Sequence, residues 1–222
     1  MNDLTLSVIV ILVTGLFVFF ILVLSSRKKK VRDEAIKQMA ASHGWRYERI
    51  NDPACEGYAI LGTDWRFESK TSKNSNQSEH ASVSENFSTS WSTASVRSTD
   101  GLILIGPKIP SIDVGGFGNF LLQQALRLFL QDEADQVNEI SEVHWDRPAI
   151  EKKISVWASS EEAALRFLTF NVENALLNWK LRQLPVVKIS NKGVSITLMN
   201  GAAHTPEEVM AVIELGLTFL RC

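Results

Sequence analysis

The stretch VVKISNKGVSITL, residues 186–198, contains two runs rich in β-branched residues, 186–190 and 194–198, separated by Asn191-Lys192-Gly193. β-branched side chains suit a pleated, half-buried surface, and a short loop ending in glycine suits a tight reversal, so the stretch predicts an antiparallel hairpin. Upstream, Ile154, Val156 and Ala158 alternate as a strand should. Ser159 with Glu162 three positions on predicts a capping box, opening a helix whose stripe is Leu165, Leu168, Val172, Ala175, Leu176 and Trp179. Downstream, Thr205, Pro206 and Glu208 open a last helix with the stripe Val209, Val212, Ile213, Gly216, Leu217 and Leu220. The order is strand, helix, strand, strand, helix. Antiparallel pairing with segregated helices predicts an α+β fold, a mainly antiparallel sheet packed with helices.

The segment before this unit continues the sheet. Residues 45–50 alternate Trp45, Tyr47 and Arg49 against Arg46, Glu48 and Ile50, and Asn51-Asp52-Pro53 ends that strand. Residues 58–61 and 65–70 predict two more strands around the turn 62–64. From 71 to 99 the chain is dominated by Ser and Thr, yet Ala81, Val83, Phe87, Thr89, Trp91 and Thr93 share one parity while Ser88, Ser90 and Ser92 hold the other. That period of two predicts a long half-exposed strand over 81–96, with 71–80 a flexible loop centred on 72–78. Asp100-Gly101 then predicts a tight hairpin turn into Leu102, Ile103, Leu104 and Ile105, apolar enough to sit centrally. Gly115-Gly116-Phe117-Gly118 precedes a helix expected over 119–131, and an acidic helical or irregular connection follows over 132–142.

The amino-terminal end is different in kind. Residues 4–24 carry no charge, and Arg27, Lys28, Lys29, Lys30 and Arg32 follow almost at once. At about 1.5 Å per residue the apolar run makes a helix of about 31 Å, matched to a hydrocarbon core of about 30 Å, which predicts a transmembrane helix with the bilayer as its partner. A cleaved signal peptide has its positive charge before a shorter apolar region, the reverse of what stands here. Positive charge stays inside, so the collar places the amino terminus outside and the rest of the chain in the cytoplasm. The organisation expected is a tail and span over 1–26, a basic juxtamembrane collar and helix over 27–44, and an α+β domain over 45–222. In the juxtamembrane helix Val31, Ala35, Met39 and Ala40 form the apolar stripe, His43 lies in the last turn as a cap, and Gly44 is a left-handed terminator.

Charge excludes one class of partner. Without the collar and Asp3, 18 basic residues face 24 acidic ones, about −6 for the domain, which is no footprint for nucleic acid. The collar itself is suited to anionic lipid, at about 1 kcal/mol per basic residue near the surface. Cys55 and Cys222 are far apart and form neither a disulfide framework nor a metal or redox motif. The triplets Asn76-Gln77-Ser78 and Asn86-Phe87-Ser88 lie on the cytoplasmic side of this topology and are not read as glycosylation acceptors.

A single span, a basic collar, a helix ending in Gly44-Trp45-Arg46-Tyr47 and the closing Thr205-Pro206-Glu207-Glu208 helix resemble bacterial single-pass membrane-anchored proteins with a cytoplasmic domain of unknown function. The resemblance implies an inner-membrane location and supplies no site residues.

Catalytic signatures are few. His43, His80, His144 and His204 show no zinc spacing, there is no G-x-S-x-G elbow, and the glycines of 115–118 complete neither a P-loop nor a dinucleotide fingerprint. The sequence therefore nominates no catalytic residue, cofactor or metal. Two classes of function remain. The first is a non-enzymatic module that binds a protein partner or itself through the sheet face or edge of the 81–96 strand. The second is a tethered enzyme assembled from distant residues around Glu142, His144 and the 115–118 glycines.

Overall fold

The computed structural model describes residues 3–74, 84–96, 98, 101–108, 124, 126–127, 130, 139–145, 147–198 and 201–221. Within them the side chains of 3–13, 18, 22, 25, 73–74 and 84–86 are left undescribed. The glycines of 115–118, most of the helix expected over 119–131 and the loop core 75–80 lie outside the described residues.

Helix α1 runs without interruption from Asp3–Ser42. It ends where the sequence predicts, because Gly44 takes φ +72°, a conformation open to a residue without Cβ. The Gly44 amide donates to the Ala41 carbonyl at 3.0 Å and the Trp45 amide reaches back to Ala40 at 2.9 Å, the paired bonds of a Schellman end. His43 places Nδ1 2.9 Å from the Met39 carbonyl, so it does cap the last turn. The buried stripe, however, is rotated from the expected one: Ile36 and Ala40 are fully buried, whereas Val31 is exposed.

The nine described strands form one sheet: β1 (Arg46–Asn51), β2 (Cys55–Leu61), β3 (Trp65–Asn74), β4 (Ser84–Thr93), β5 (Ile103–Pro107), β6 (Ser141–Val143), β7 (Ile154–Ala158), β8 (Pro185–Ser190) and β9 (Gly193–Leu198). Their order is β1-β2-β3-β4-β9-β8-β5-β7-β6, and every pairing is antiparallel. Short helices α2 (Pro148–Glu151), α3 (Glu161–Phe167) and α4 (Phe170–Leu177), with the longer α5 (Pro206–Leu220), complete the α+β fold.

The 186–198 hairpin closes as read. Ser190 pairs with Gly193, which adopts φ +133°, and a Cβ there would overlap the Thr93 carbonyl oxygen of the neighbouring strand. The β4 face pattern also holds: Thr89, Trp91 and Thr93 are buried, while Ser88 and Ser92 are exposed. The strand ends at Thr93, before the expected 96, and β3 reaches four residues into the segment expected to be loop, because Thr71, Ser72, Lys73 and Asn74 pair with the first residues of β4.

Three local expectations are corrected. Asp100-Gly101 does not join a hairpin, since β4 pairs with β3 and β9, and β5 lies between β8 and β7. An all-apolar strand needs cover on both faces, and that position supplies it: Ile103 and Ile105 face one core, Leu102 and Leu104 the other. Ser159 is not the helix cap. Its hydroxyl accepts from the Leu102 amide at 2.9 Å, and Ser160 one residue later caps α3 by accepting from Ala163. The single helix expected after it is two, because Thr169 starts a fresh N-cap by accepting from Val172. The capping box of α5 forms in full between Thr205 and Glu208.

One sheet face is covered by the second half of α1 together with α4 and α5, which bury Ile36, Val172, Leu176, Val212 and Phe219 against Tyr58, Phe67, Trp91 and Ile196. Burying a side chain such as Phe67 contributes about 1.5–3 kcal/mol. On the opposite face a smaller cluster of Leu102, Leu104, Leu126, Leu130, Trp157 and Val186 covers only the β5–β7–β8 half. The other half bears an ion-pair ladder, Arg46–Glu48–Arg66–Glu68–Lys70, beside the serines of β4.

Among the described residues no helix is long and apolar enough to cross a membrane. The transmembrane helix expected over 4–24 is thus unsupported among the described residues.

Candidate functional site

A cavity of about 260 Å³ lies where α1 crosses the first strands of the sheet. Its helix wall is Lys29, Arg32 and Asp33. These residues stand three and four apart, on one face of the helix, and continuing that spacing leads to the buried Ile36 and Ala40. The collar is thus divided by helical periodicity. Arg27, Lys28 and Lys30 are exposed, whereas Arg32 is half-buried and Lys29 is turned onto Glu56 of β2 at 2.9 Å.

The sheet supplies the remaining wall through Tyr47 and Arg49 of β1, Glu56, Gly57 and Tyr58 of β2, and Ser69 and Thr71 of β3. Gly57 is required at the floor, since a Cβ there would overlap the Ser69 carbonyl oxygen. Tyr47 and Tyr58 stack with ring centroids 5.8 Å apart and form the inner surface.

The far rim is the connection between β9 and α5, pinned by buried hydrogen bonds. The Tyr58 hydroxyl donates to the Ala203 carbonyl at 2.8 Å, Ser69 Oγ donates to the same carbonyl at 3.4 Å, and the Ala203 amide donates to Thr89 Oγ1 at 2.9 Å. Three strands thereby fix one residue, and the next, His204, stands at the cavity mouth edge-on to Phe87.

The cavity is lined by three cations, Lys29, Arg32 and Arg49, and two carboxylates, Asp33 and Glu56. With Lys29 and Glu56 paired, Arg32 and Arg49 face the single remaining lining carboxylate, Asp33, and neither guanidinium forms an ion pair or side-chain hydrogen bond among the described residues. Burial pushes the Tyr58 phenol up strongly, and the Tyr47 phenol is raised by burial and then by the Asp33 charge. His204 is lowered by burial and by the Arg32 charge, against an opposing pull from Glu208, so its neutral imidazole is favoured. Protonated phenols, a neutral imidazole and two guanidiniums supply hydrogen-bond donors and positive charge, opposed by the Asp33 carboxylate.

Of the residues around which a distant-residue enzyme was expected, the 115–118 glycines lie outside the described residues and the other two are held by separate partners. Glu142 accepts a hydrogen bond from Ser155 at 2.8 Å, while His144 is 86% exposed and 3.9 Å from Glu151. Among the described residues no three His, Cys, Asp or Glu side chains are placed to hold a metal ion. The sequence does not bring the cavity residues together as a site because they come from the helix, four separate strands and a connection. The spacing of Lys29, Arg32, Asp33 and Ile36 is the signal that marks this wall, but the stripe expected from the sequence is Val31, Ala35, Met39 and Ala40 instead.

No family model and no curated protein matches the chain. Among solved structures, a crystal structure of the mycobacterial trehalose monomycolate transport factor A superposes with a TM-score of 0.42 at 11% identity, over 86% of this chain and 94% of that one.

Proposed function

We propose that the protein is a single-pass, membrane-anchored domain on the cytoplasmic side of a bacterial inner membrane. In this reading it acts as a non-enzymatic module that binds a protein partner through the open face of its sheet. The observation that carries the reading is the continuity of α1. The same helix bears Leu16, Phe17, Phe19 and Phe20 exposed towards one end and fully buried Ile36 and Ala40 towards the other. Large apolar side chains exposed around a helix need an apolar medium. An unbroken helix transmits the position and tilt of that segment to the domain.

The open face supports the partner-binding half of the proposal. Ser88, Ser90 and Ser92 of β4 and Ser195 of β9 leave a shallow surface of small side chains, flanked by the β3 ion pairs and by Lys188 and Lys192. Strand β4 is interior, paired on both sides, so a partner meets this face rather than extending that strand, correcting the edge expectation.

The test uses the full chain in its native membrane. Cys55 is half-exposed, and with Cys222→Ser it is the one remaining thiol. A membrane-impermeant maleimide is expected to label it only after the cells are permeabilised, and carbonate washing is expected to leave the protein in the membrane. Labelling in intact cells, or release by carbonate, overturns the anchored topology. A photo-crosslinking amino acid at Ser90, compared with one at Glu162 on the exposed start of α3, tests the module. A discrete adduct from position 90 alone is expected, and equal background from both refutes binding at this face.

A further inference from the structure

We propose that the cavity between α1 and the sheet binds a phosphate-bearing anion, gripped by Arg32 and Arg49 with the hydroxyls of Tyr47 and Thr71. The proposal rests on the anchored reading for the source of the anion, and on the cavity alone for the binding. Planar guanidiniums match phosphate oxygens in pairs, and two of them line one cavity without forming an ion pair among the described residues, although Asp33 shares the lining. The Tyr47 and Thr71 hydroxyls likewise take no protein hydrogen bond among those residues. A volume of about 260 Å³ accommodates a phosphate and part of what it esterifies.

Position favours phosphate over other anions. Arg32 stands eight residues beyond Leu24, the last residue of the apolar run. At 1.5 Å per residue that is about 12 Å along the helix. The headgroup layer occupies about 5–8 Å of each leaflet outside the hydrocarbon, so a lipid phosphate at its outer edge is about 4–7 Å from the level of Arg32 and meets the cavity when the lipid is drawn outwards by that distance. A soluble phosphate ester offers the same chemistry from the other side. The collar on this view has two roles: Arg27, Lys28 and Lys30 meet the surface, and Arg32 faces a built pocket.

His204 is a reporter at the mouth, because Arg32 and Glu208 are the charges that act on it. The full chain, labelled at histidine, is placed in nanodiscs of phosphatidylcholine, in the same discs with inorganic phosphate, and in discs containing phosphatidylglycerol. The His204 pKa is read by NMR in each, with His43 and His144 as controls. An anion bound within about one Debye length, 8–10 Å, raises the His204 pKa, by about half a unit where the pair is water-screened and by more where it is not. A rise confined to His204 in the phosphate arm identifies a soluble phosphate ligand, and one confined to the phosphatidylglycerol arm identifies a lipid headgroup. Arg32→Gln is expected to raise the His204 pKa without ligand and, like Arg49→Gln, to abolish the response. A response absent from both arms, or one shared equally by His43 and His144 as a surface potential would give, overturns the proposal. Failure to enter the discs, with the phosphate response intact, refutes the anchored reading and leaves the anion site standing.

Discussion

Gly216→Ala separates local preference from tertiary packing by the sign of its effect. Gly216 lies inside α5, where alanine is favoured over glycine by about 1 kcal/mol. Its Cα, however, lies against the indole of Trp91. A Cβ would overlap the ring-fusion atoms Cδ2 and Cε2 and lie 2.8 Å from Cε3, against the 3.5–4.0 Å of ordinary carbon contact. Trp91 cannot retreat: it is fully buried in β4, between β3 and β9, and stacked against Trp65 at 6.3 Å. Overpacking of this kind costs about 1–3 kcal/mol, and an overlap with an immobile ring belongs near the upper end. After the helix preference is subtracted, a net loss of about 2 kcal/mol is expected. With a urea dependence of about 2 kcal/mol per molar, the unfolding midpoint falls by about 1 M. Tryptophan fluorescence of the full chain in detergent reads it. A midpoint at or above wild type refutes the reasoning, for it means that the helix preference decides and that α5 stands off the sheet. Combining the variant with Trp91→Phe, which shrinks the ring, is expected to cost less than the sum of the two alone.

Other outcomes follow from buried polar groups and titrating ones. Thr89→Val keeps the shape but strands the buried Ala203 amide, so a loss of about 1–3 kcal/mol is expected in the same urea assay, with Thr89→Ser close to wild type. Ser160→Ala removes the α3 cap and should cost about 1 kcal/mol, locally detectable as faster amide exchange at Ala163. Ser159→Ala should instead accelerate exchange at Leu102. Because the His204 pKa is lowered in the folded state, its contribution to stability is complete above the ordinary value of 6.5 and is lost as pH falls from there through the folded value. A pH series should show that decline in wild type and less of it in His204→Gln. Glu68 is lowered despite burial, because hydrogen bonds and charge from Lys70 and Arg66 outweigh the desolvation. Its contribution is present above 4.5 and lost as pH falls through the folded value, a loss that Glu68→Gln should remove.

How much of this was legible in the sequence depends on the range of the interaction. The 186–198 hairpin, the Thr205–Glu208 capping box, the Gly44 terminator and the two-faced pattern of β4 were fixed by residues within a few positions of one another, where backbone geometry and side-chain period act directly. Pairing partners are not local. Asp100-Gly101 is a good hairpin dipeptide, yet an all-apolar β5 gains more by lying between β7 and β8, covered on both faces, than by returning along β4. Ser159 and Ser160 are equivalent candidates for a cap until Leu102 claims the first of them. The collar illustrates the same division. Its charge was visible as a run of five basic residues among six, but which of them faces a pocket is decided by the helical phase that buries Ile36 and Ala40. By itself the sequence determined an α+β chain with an apolar, basic-flanked amino-terminal helix. Only the tertiary structure decided that Arg32 and Arg49, 17 positions apart, line one cavity, because a shared cavity is a property of how a helix is laid on a sheet and not of either segment alone.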